Sequence, residues 1–268
     1  MTGTLDIGPW RVLRQLSSSG LCVVYEVEKG RGERAALKRY VGLALLDEET
    51  RRRFAREIRL GLSVVHPHVC RALDWGLTDD GSPYLVMELL EGKTLRQRLD
   101  DSGALPVDQA TAIARQLLAG AGAIHDHGLV HRDLKPENIF LQHGEDVRIL
   151  DFGLTSKYGG GSLTPTGISM GTVGYAAPEQ VFNARHVDTR ADLFTIGVVF
   201  FEMLTGHRPF EGGSVAETLS LLTGGDPPSL SSFQPSLAGT AVERLVDSLL
   251  SRLPEQRPES AAAALAML

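Results

Sequence analysis

Cysteine is scarce in this chain. The 268 residues include only Cys22 and Cys70, and the two are not spaced as CxxC. A disulfide framework and a zinc cluster built on cysteine are therefore excluded. The reducing cytoplasm is the expected compartment.

Long apolar runs and an excess of basic charge are also missing. A membrane span needs roughly 20 apolar residues, and the densest stretch, Leu193 to Phe201, is ended by Glu202. That stretch predicts a helix buried on all sides. The first residues, MTGTLDIGPW, lack the basic end and apolar run of a secretory signal. The net charge of -6 does not favour binding to nucleic acid or to an anionic membrane surface.

The first ninety residues predict an antiparallel sheet. Five short β-prone runs are separated by turns, which is typical of strands joined by hairpins. These runs are WRVLRQL, CVVYEVE, RAALKRYV, VCRALDW and PYLVMELL. Between the third and fourth runs, Phe54, Ile58 and Leu62 recur at intervals of four residues, which predicts one helix crossing the sheet.

The remaining residues show mainly helical spacing. One apolar face runs from Ala110 to Ile124, and Gly128 ends the segment. Further helices are predicted for Thr189 to Thr205 and for Thr240 to Leu253, whereas Gly159 to Ser169 reads as a polar loop. The chain is therefore expected to be α+β, with strands first and helices after.

Three motifs occur in a fixed order along the second half. They are HRDLKPEN at 131–138, Asp151-Phe152-Gly153 and Ala177-Pro178-Glu179. In this order they resemble the catalytic loop, the magnesium-binding loop and the end of the activation segment of eukaryotic-type protein kinases. The resemblance extends from about Trp10 to the end of the chain and includes Asp192, Gly197 and an expected pair of Glu179 with Arg257.

The resemblance implies the bilobal protein kinase fold. We expect a small antiparallel β-sheet lobe with one crossing helix and a larger, mainly helical lobe. The expected single domain covers 1–268, with an N-lobe at about 8–89, a hinge at about 88–92 and a C-lobe at about 93–268.

The resemblance also assigns catalytic and metal-binding roles. Asp133 would accept or orient the proton of the substrate hydroxyl, and Lys135 would stabilise charge on the transferring phosphoryl group. Asn138 and Asp151 would hold Mg²⁺ through the oxygen ligands that this cation prefers. Phosphoryl transfer from ATP needs mainly such positioning and charge neutralisation.

Two residues of the first lobe complete the implied catalytic set. Ala35-Ala36-Leu37-Lys38 resembles the third-strand motif, and Glu57 lies on the predicted helix where the family keeps the partner of that lysine. Lys38 would then hold the α- and β-phosphates. Taken alone, the two residues would favour an ordinary solvated lysine and a helix-surface glutamate, and the presence of the catalytic loop reverses that preference.

The stretch from Tyr84 to Leu90 resembles the strand and hinge that hold adenine. Met87 would be the gatekeeper, and backbone groups of Glu88 and Leu90 would hydrogen-bond the base. Four apolar residues would sandwich the ring, although each also reads as core. These are Leu16, Val24, Ala36 and Phe140.

The nucleotide loop departs from the family pattern. The family has G-x-G-x-x-G, whereas this chain has Ser17-Ser18-Ser19-Gly20-Leu21-Cys22, with Gly20 alone remaining. Each lost glycine costs roughly 1 kcal/mol where the backbone must approach phosphates. Gly61 and Ala72 also replace larger apolar side chains that the family stacks beneath the helix. A regulatory partner or adjoining domain would supply the missing order.

The resemblance also indicates which hydroxyl groups are phosphorylated and how the kinase is regulated. Lys135 together with Thr172 resembles the serine/threonine branch, and the opening GPWRVL resembles bacterial kinases of eukaryotic type, which often form part of longer polypeptides. Arg132 beside Asp133 marks kinases switched by activation-loop phosphorylation. Candidate phosphosites are Ser162, Thr164, Thr166 and Ser169.

Two other functions stay open at the level of sequence. A pseudokinase would bind partners or nucleotide and transfer phosphate poorly because of the altered loop. A small-molecule kinase of related fold would share Asp133 and Asn138 but not the GTVGYAAPE segment. A histidine metal site is rejected, because the pairs His66 with His68 and His125 with His127 have no convergent ligands.

Overall fold

The small lobe is an antiparallel sheet. The computed structural model describes residues 6–19, 22–30, 32–41, 56, 58–151, 173–182 and 187–268. Its first sheet has the strand order β1-β2-β3-β4-β6-β5, with every neighbouring pair antiparallel. The strands are Asp6–Ile7 (β1), Trp10–Ser19 (β2), Cys22–Lys29 (β3), Glu33–Tyr40 (β4), Ala72–Leu77 (β5) and Pro83–Met87 (β6).

Alternation of side chains gives this sheet two buried faces. The outer cluster is Ile7, Trp10, Val27, Ala35, Leu37, Tyr84 and Val86. The inner cluster is Cys22, Tyr40, Ile58, Ala72 and Leu85. Ile58 belongs to the predicted crossing helix, of which 56 and 58–62 are helical and the other residues lie outside the described part.

The fourth predicted strand starts later than expected. It begins at Ala72 rather than at Val69. Val69 instead makes a parallel bridge to Ile149, and the Cys70 amide donates to the Ile149 carbonyl at 2.9 Å. The first residues of that run are therefore used to join the small sheet to the large lobe.

The large lobe is mainly helical, as predicted. It also has a second sheet of order β7-β8-β9, formed by Gly92–Thr94 (β7), Ile139–Gln142 (β8) and Asp146–Ile149 (β9). Its helices are Leu95–Ser102 (α1), Val107–Asp126 (α2), Pro178–Phe182 (α3), Arg190–Thr205 (α4), Val215–Gly224 (α5), Ala241–Leu249 (α6) and Ala261–Leu265 (α7).

Helices α2 and α4 form the centre of the large lobe. The predicted apolar face of α2 is completely buried, and α2 ends at Asp126, two residues before Gly128, which has φ +70°. Every residue of α4 from Ala191 to Leu204 is buried, which confirms the helix buried on all sides. Among the residues that the structure describes, no helix combines the length and apolar character needed to cross a bilayer.

A close contact joins the two lobes next to the site. The Ile149 amide donates to the His68 carbonyl at 2.9 Å. A Cβ on Gly120 of α2 would lie 2.8 Å from Ile149 Cδ1 and 3.0 Å from His68 O. Because glycine alone allows this approach, α2 supports the backbone two residues before Asp151.

Candidate active site

Lys38 and Asp151 meet between the lobes. Strand β4 carries Lys38, which is only 6% exposed, and its Nζ lies 2.7 Å from Asp151 Oδ2. Burial by itself lowers the pKa of Lys38, but the Asp151 carboxylate outweighs it and raises the pKa above its usual value. Lys38 is therefore a buried cation at neutral pH, aimed at the carboxylate that follows β9.

The predicted catalytic loop brings three functional side chains together. Lys135 Nζ lies 3.1 Å from Asp133 Oδ1. The Asn138 amide nitrogen donates to both Asp133 Oδ2, at 2.9 Å, and the Asp133 carbonyl, at 2.8 Å. Since both amide hydrogens are used on Asp133, the Asn138 oxygen is left as an acceptor for another group.

Asp192 of α4 holds this loop from below. Its two carboxylate oxygens accept from the backbone amides of His131 and Arg132, each at 2.8 Å. His125 Nε2 lies 2.9 Å from Asp192 Oδ2. Burial alone raises the pKa of Asp192, but the hydrogen bonds and charge of His125 and the other donors outweigh it and lower the pKa.

His125 is a site residue whose role sequence reasoning missed. The sequence predicts no metal-binding role for His125 and places it at the approach to the catalytic loop, and the structure makes it a partner of Asp192. Its position six residues before His131, at the end of α2, was the available signal. His131 makes a second link, because its Nε2 lies 2.7 Å from the Leu150 carbonyl, next to Asp151.

Two residues of the site have left-handed backbone. Arg132 has φ +66° and Asp151 has φ +57°. A non-glycine residue in this region costs of order 1–3 kcal/mol and persists only where its surroundings hold it. Here Asp192 holds the Arg132 amide and Lys38 holds the Asp151 carboxylate.

The segment 173–182 is fastened over the catalytic loop. Gln180 Nε2 donates to the Arg132 carbonyl at 2.9 Å. Arg257, whose side chain is completely buried, donates to both oxygens of Glu179 at 2.7 and 2.9 Å. This is the expected pair of Glu179 with Arg257, and its two parallel hydrogen bonds fix the end of the segment.

Most of the side chains predicted to surround adenine lie on strands of the small sheet. Ala36 is paired with Met87, and Val24 with Lys38. Leu16 is 39% exposed at the open end of β2, while Phe140 lies on β8 of the large lobe. Glu88 is held by Arg71, because its amide donates to the Arg71 carbonyl and its carboxylate accepts from the Arg71 amide.

The nucleotide loop is described only in part. Ser17, Ser18 and Ser19 are extended and exposed at the end of β2. Cys22 is 7% exposed and belongs to the inner cluster, where burial raises the pKa of its thiol; the positive charge of Lys38 opposes this rise and the negative charge of Asp151 adds to it. Gly20 lies outside the described residues, as do Glu57, Thr172 and the four candidate phosphosites, so the expected pair of Lys38 with Glu57 stays a prediction.

A small cavity lies beside Asp151, beneath the described part of the crossing helix. Gly61 and Ala72 face it, in agreement with the expectation that small residues stand there in place of larger ones. The lining residues are Ile58, Gly61, Cys70, Ala72, Leu85, Met87 and Asp151. The site is therefore incompletely packed on the side of the small lobe.

The donor set suits a hard divalent cation. The Leu150 amide donates to the Asn138 carbonyl at 2.9 Å, which brings Asp151 next to Asn138. One carboxylate and one amide oxygen fit Mg²⁺, which keeps several waters and shares substrate phosphates. Within the described ranges there is no group of three or more His, Cys, Asp or Glu side chains that could hold a metal.

The chain is similar in sequence to a known protein family and to a known bacterial protein. The model of the family described as "Protein kinase domain" matches residues 10–267. Serine/threonine-protein kinase pkn2 of Myxococcus xanthus is 38% identical over 267 residues, which is 95% of this chain and 31% of pkn2. The chain thus spans about a third of the length of that relative.

Two solved structures are similar to this chain in fold. The crystal structure of the PknI kinase domain of Mycobacterium tuberculosis has a TM-score of 0.77 at 27% identity, over 99% of this chain and 97% of that one. A crystal structure of Rad53 1-466 in complex with AMP-PNP has a TM-score of 0.78 at 27% identity, over 96% of this chain and 64% of that one.

Proposed function

Because the chain belongs to the protein kinase family, we propose that it transfers the γ-phosphate of ATP to serine and threonine hydroxyls of proteins. The observation that carries the proposal is one connected set of side chains. Lys38 contacts Asp151, and Asp133 contacts both Lys135 and Asn138. These side chains are the groups that we propose hold phosphate, cation and hydroxyl.

The residues divide the work of phosphoryl transfer. Asp133 receives or orients the proton of the attacking hydroxyl, held for this task by Asn138. Lys135, 3.1 Å from Asp133, neutralises charge on the phosphoryl group during transfer. Lys38 binds the α- and β-phosphates, and Glu57 would orient Lys38.

Mg²⁺ would be held by the Asn138 oxygen and the Asp151 carboxylate, and when bound it neutralises charge on the β- and γ-phosphates. Since Asp151 contacts Lys38 directly, the same carboxylate orients the cation that binds the phosphates. This arrangement couples the two lobes to one nucleotide.

The nucleotide would lie between β2 to β4 and β8. Leu16, Val24, Ala36 and Phe140 would enclose adenine, with Met87 behind it and backbone groups of Glu88 and Leu90 as polar partners. The Rad53 complex supports ATP as the ligand, because AMP-PNP resembles ATP and the two chains share the fold. Ser17, Ser18, Ser19, Gly20 and Cys22 would cover the phosphates in place of a glycine-rich loop.

Serine and threonine specificity is supported by Lys135 in HRDLKPEN and by the name of the relative pkn2. The protein substrate would be met in the cytoplasm. The greater length of that relative supports a regulatory region or partner acting on the catalytic domain. An intact catalytic set favours an active kinase over a pseudokinase.

The test is the identity of the phosphorylated residue. The purified chain is incubated with Mg²⁺, ATP and dephosphorylated casein, and mass spectrometry locates phosphate on both proteins. Phosphoserine or phosphothreonine is expected with the parent and with Asp146→Asn, an exposed control on β9, but not with Asp133→Asn. Phosphotyrosine alone, or no difference between parent and Asp133→Asn, would overturn the proposal.

A further inference from the structure

Three side chains from separate elements meet at the segment 173–178, which leads into the Ala177-Pro178-Glu179 motif. The Tyr175 hydroxyl donates to Glu202 Oε2 at 2.7 Å. Arg96 Nη1 donates to Glu202 Oε1 at 2.8 Å and lies 3.4 Å from the Tyr175 oxygen. Glu202 is 5% exposed and Tyr175 is 3% exposed, so the contact lies inside the large lobe.

The three residues belong to elements that are far apart in sequence. Arg96 lies in the first turn of α1, two residues after the Thr94 N-cap, and Glu202 lies near the end of α4. Tyr175 is also held through its carbonyl, which accepts from Thr195 Oγ1 at 2.9 Å. Arg96 is therefore the link from α1 to the segment.

Charge makes Arg96 necessary to this arrangement. Glu202 is a buried acid whose two oxygens are used by Tyr175 and Arg96. Without the guanidinium, the carboxylate would be left with a hydroxyl alone, and a buried charge lacking its counter-ion must move, gain a proton or admit water. Each of these changes displaces the acceptor that fixes the Tyr175 hydroxyl.

The neighbouring charges do not replace Arg96. Its Nε is bound to the exposed Asp100 at 2.9 Å. Arg208 lies over the Tyr175 ring, with its guanidinium carbon 5.6 Å from the ring centroid, and is paired with Glu211. Arg208 thus contacts the face of the ring, whereas Arg96 acts on the hydroxyl end through Glu202.

We propose that Arg96 is a positioning residue for the protein substrate. Through Glu202 it fixes Tyr175, and with Tyr175 the backbone of 173–178 against which the substrate is aligned with Asp133. This proposal rests on the proposed function. It assigns to Arg96 an effect on the binding of the protein substrate and not on the binding of ATP.

Steady-state kinetics with dephosphorylated casein test the proposal. In Arg96→Met the KM for casein is expected to rise roughly 5- to 20-fold, with the KM for ATP changed less than about twofold. In Arg96→Lys the KM for casein is expected to lie between those of the parent and Arg96→Met. The lysine ammonium reaches one carboxylate oxygen but lacks the two-pronged donor geometry of a guanidinium. Arg98→Met, on the same helix but bonded to Gln109, is the matched control and should match the parent.

A double-mutant cycle separates positioning from a general loss of structure. If Arg96 acts through Tyr175, then Tyr175→Phe alone raises the KM for casein, and Arg96→Met adds little in the Tyr175→Phe background. Equal rises in the KM for ATP and for casein, or fully additive effects, would overturn the proposal.

Hydrogen–deuterium exchange gives a readout that needs no catalysis. The amides of residues 173–177 are expected to exchange faster in Arg96→Met than in the parent and in Arg98→Met, with those of α2 unchanged. If the parent fails to phosphorylate casein, the proposed function fails while the exchange still decides whether Arg96 holds the segment. Unchanged exchange at 173–177 overturns the role of Arg96.

Discussion

Lys38 Nζ and Asp151 Oδ2 lie 2.7 Å apart and join the two lobes at the centre of the site. Lys38 belongs to the small sheet, and Asp151 follows the last strand of the large lobe. The side chains of the pair are 8% and 19% exposed, so the attraction is only weakly screened by water. The contact ties the cation proposed to bind the phosphates to a proposed ligand of Mg²⁺.

Replacing Lys38 should abolish most phosphate transfer. In Lys38→Met we expect the rate of transfer to casein to fall roughly 10²- to 10³-fold, because the phosphates lose a buried cation. Lys38→Arg should stay low, since a planar guanidinium does not fit where an ammonium contacts one oxygen. Lys93→Met, which removes an exposed lysine paired with Asp101, is the control and should keep the parental rate. Equal losses in the Lys38 and Lys93 variants would contradict this role.

Asp192 should make stability depend on pH in a defined direction. Its pKa is lowered in the folded chain, so it contributes stability above the unfolded pKa, near 3.8, and loses it as the pH falls through the folded pKa. We expect Asp192→Asn to be less stable than the parent by about 2–4 kcal/mol at neutral pH. The difference should be constant above about pH 5 and shrink below about pH 4.

Urea unfolding of the parent and of Asp192→Asn, at fixed ionic strength, measures the difference in their free energies of unfolding. The measurements run from about pH 3 to about pH 7, a range that includes the ordinary pKa of a carboxyl group. A difference that grows as the pH falls would mean that the pKa of Asp192 is raised on folding, contrary to its contacts with His125 and the loop amides.

Gly120 and Gly122 of α2 should respond in opposite ways to alanine. A Cβ on Gly120 would lie 3.0 Å from the His68 carbonyl, a backbone atom of the inter-lobe contact. We expect Gly120→Ala to lower the free energy of unfolding by about 1–2 kcal/mol, with the clash exceeding the gain in helix propensity. A Cβ on Gly122 would meet only Ala261 Cβ at an ordinary 3.6 Å, so Gly122→Ala should be neutral or more stable by up to about 1 kcal/mol.

Urea unfolding compares the two glycine variants, and phosphate transfer gives a second readout. Since Ile149 lies two residues before Asp151, Gly120→Ala should also slow transfer, whereas Gly122→Ala should not. Equal stability of the two variants would contradict the close approach of α2 to His68.

Filling the cavity beside Asp151 should stabilise the small lobe. In Ala72→Val the added methyl groups face the space next to Gly61, and we expect the free energy of unfolding to rise by about 0.5–2 kcal/mol. The rate of transfer should rise as well, because Asp151 lines the same cavity. Ala35→Val, at a completely buried position in the outer cluster, is the control and should destabilise by overpacking. A destabilised Ala72→Val would show that the cavity is not accessible to the new side chain.

Local patterns made much of the fold predictable. The apolar face of α2, the buried α4 and the five strand runs are set by periodicities that need only neighbouring residues. The predicted catalytic loop could be located because HRDLKPEN is contiguous, and the structure brings its residues Asp133, Lys135 and Asn138 into contact.

Contacts between distant residues were not predictable in the same way. Arg96 and Glu202 are separated by 106 residues, and no periodicity or motif connects them. The link of His125 to Asp192 likewise depends on how α2 lies beside α4. The late start of β5 has a similar cause. Val69 and Cys70 pair with Ile149 of β9, and the amino-acid composition of the predicted strand does not indicate that partner.

The initial rate of γ-phosphate transfer from labelled ATP to casein, in the parent relative to Asp133→Asn, tests the central claim most directly. The account predicts that the parent is at least about 10²- to 10⁴-fold faster, because Asp133 handles the proton of the attacking hydroxyl. Equal rates for two folded proteins would contradict the assignment of this chain as an active protein kinase.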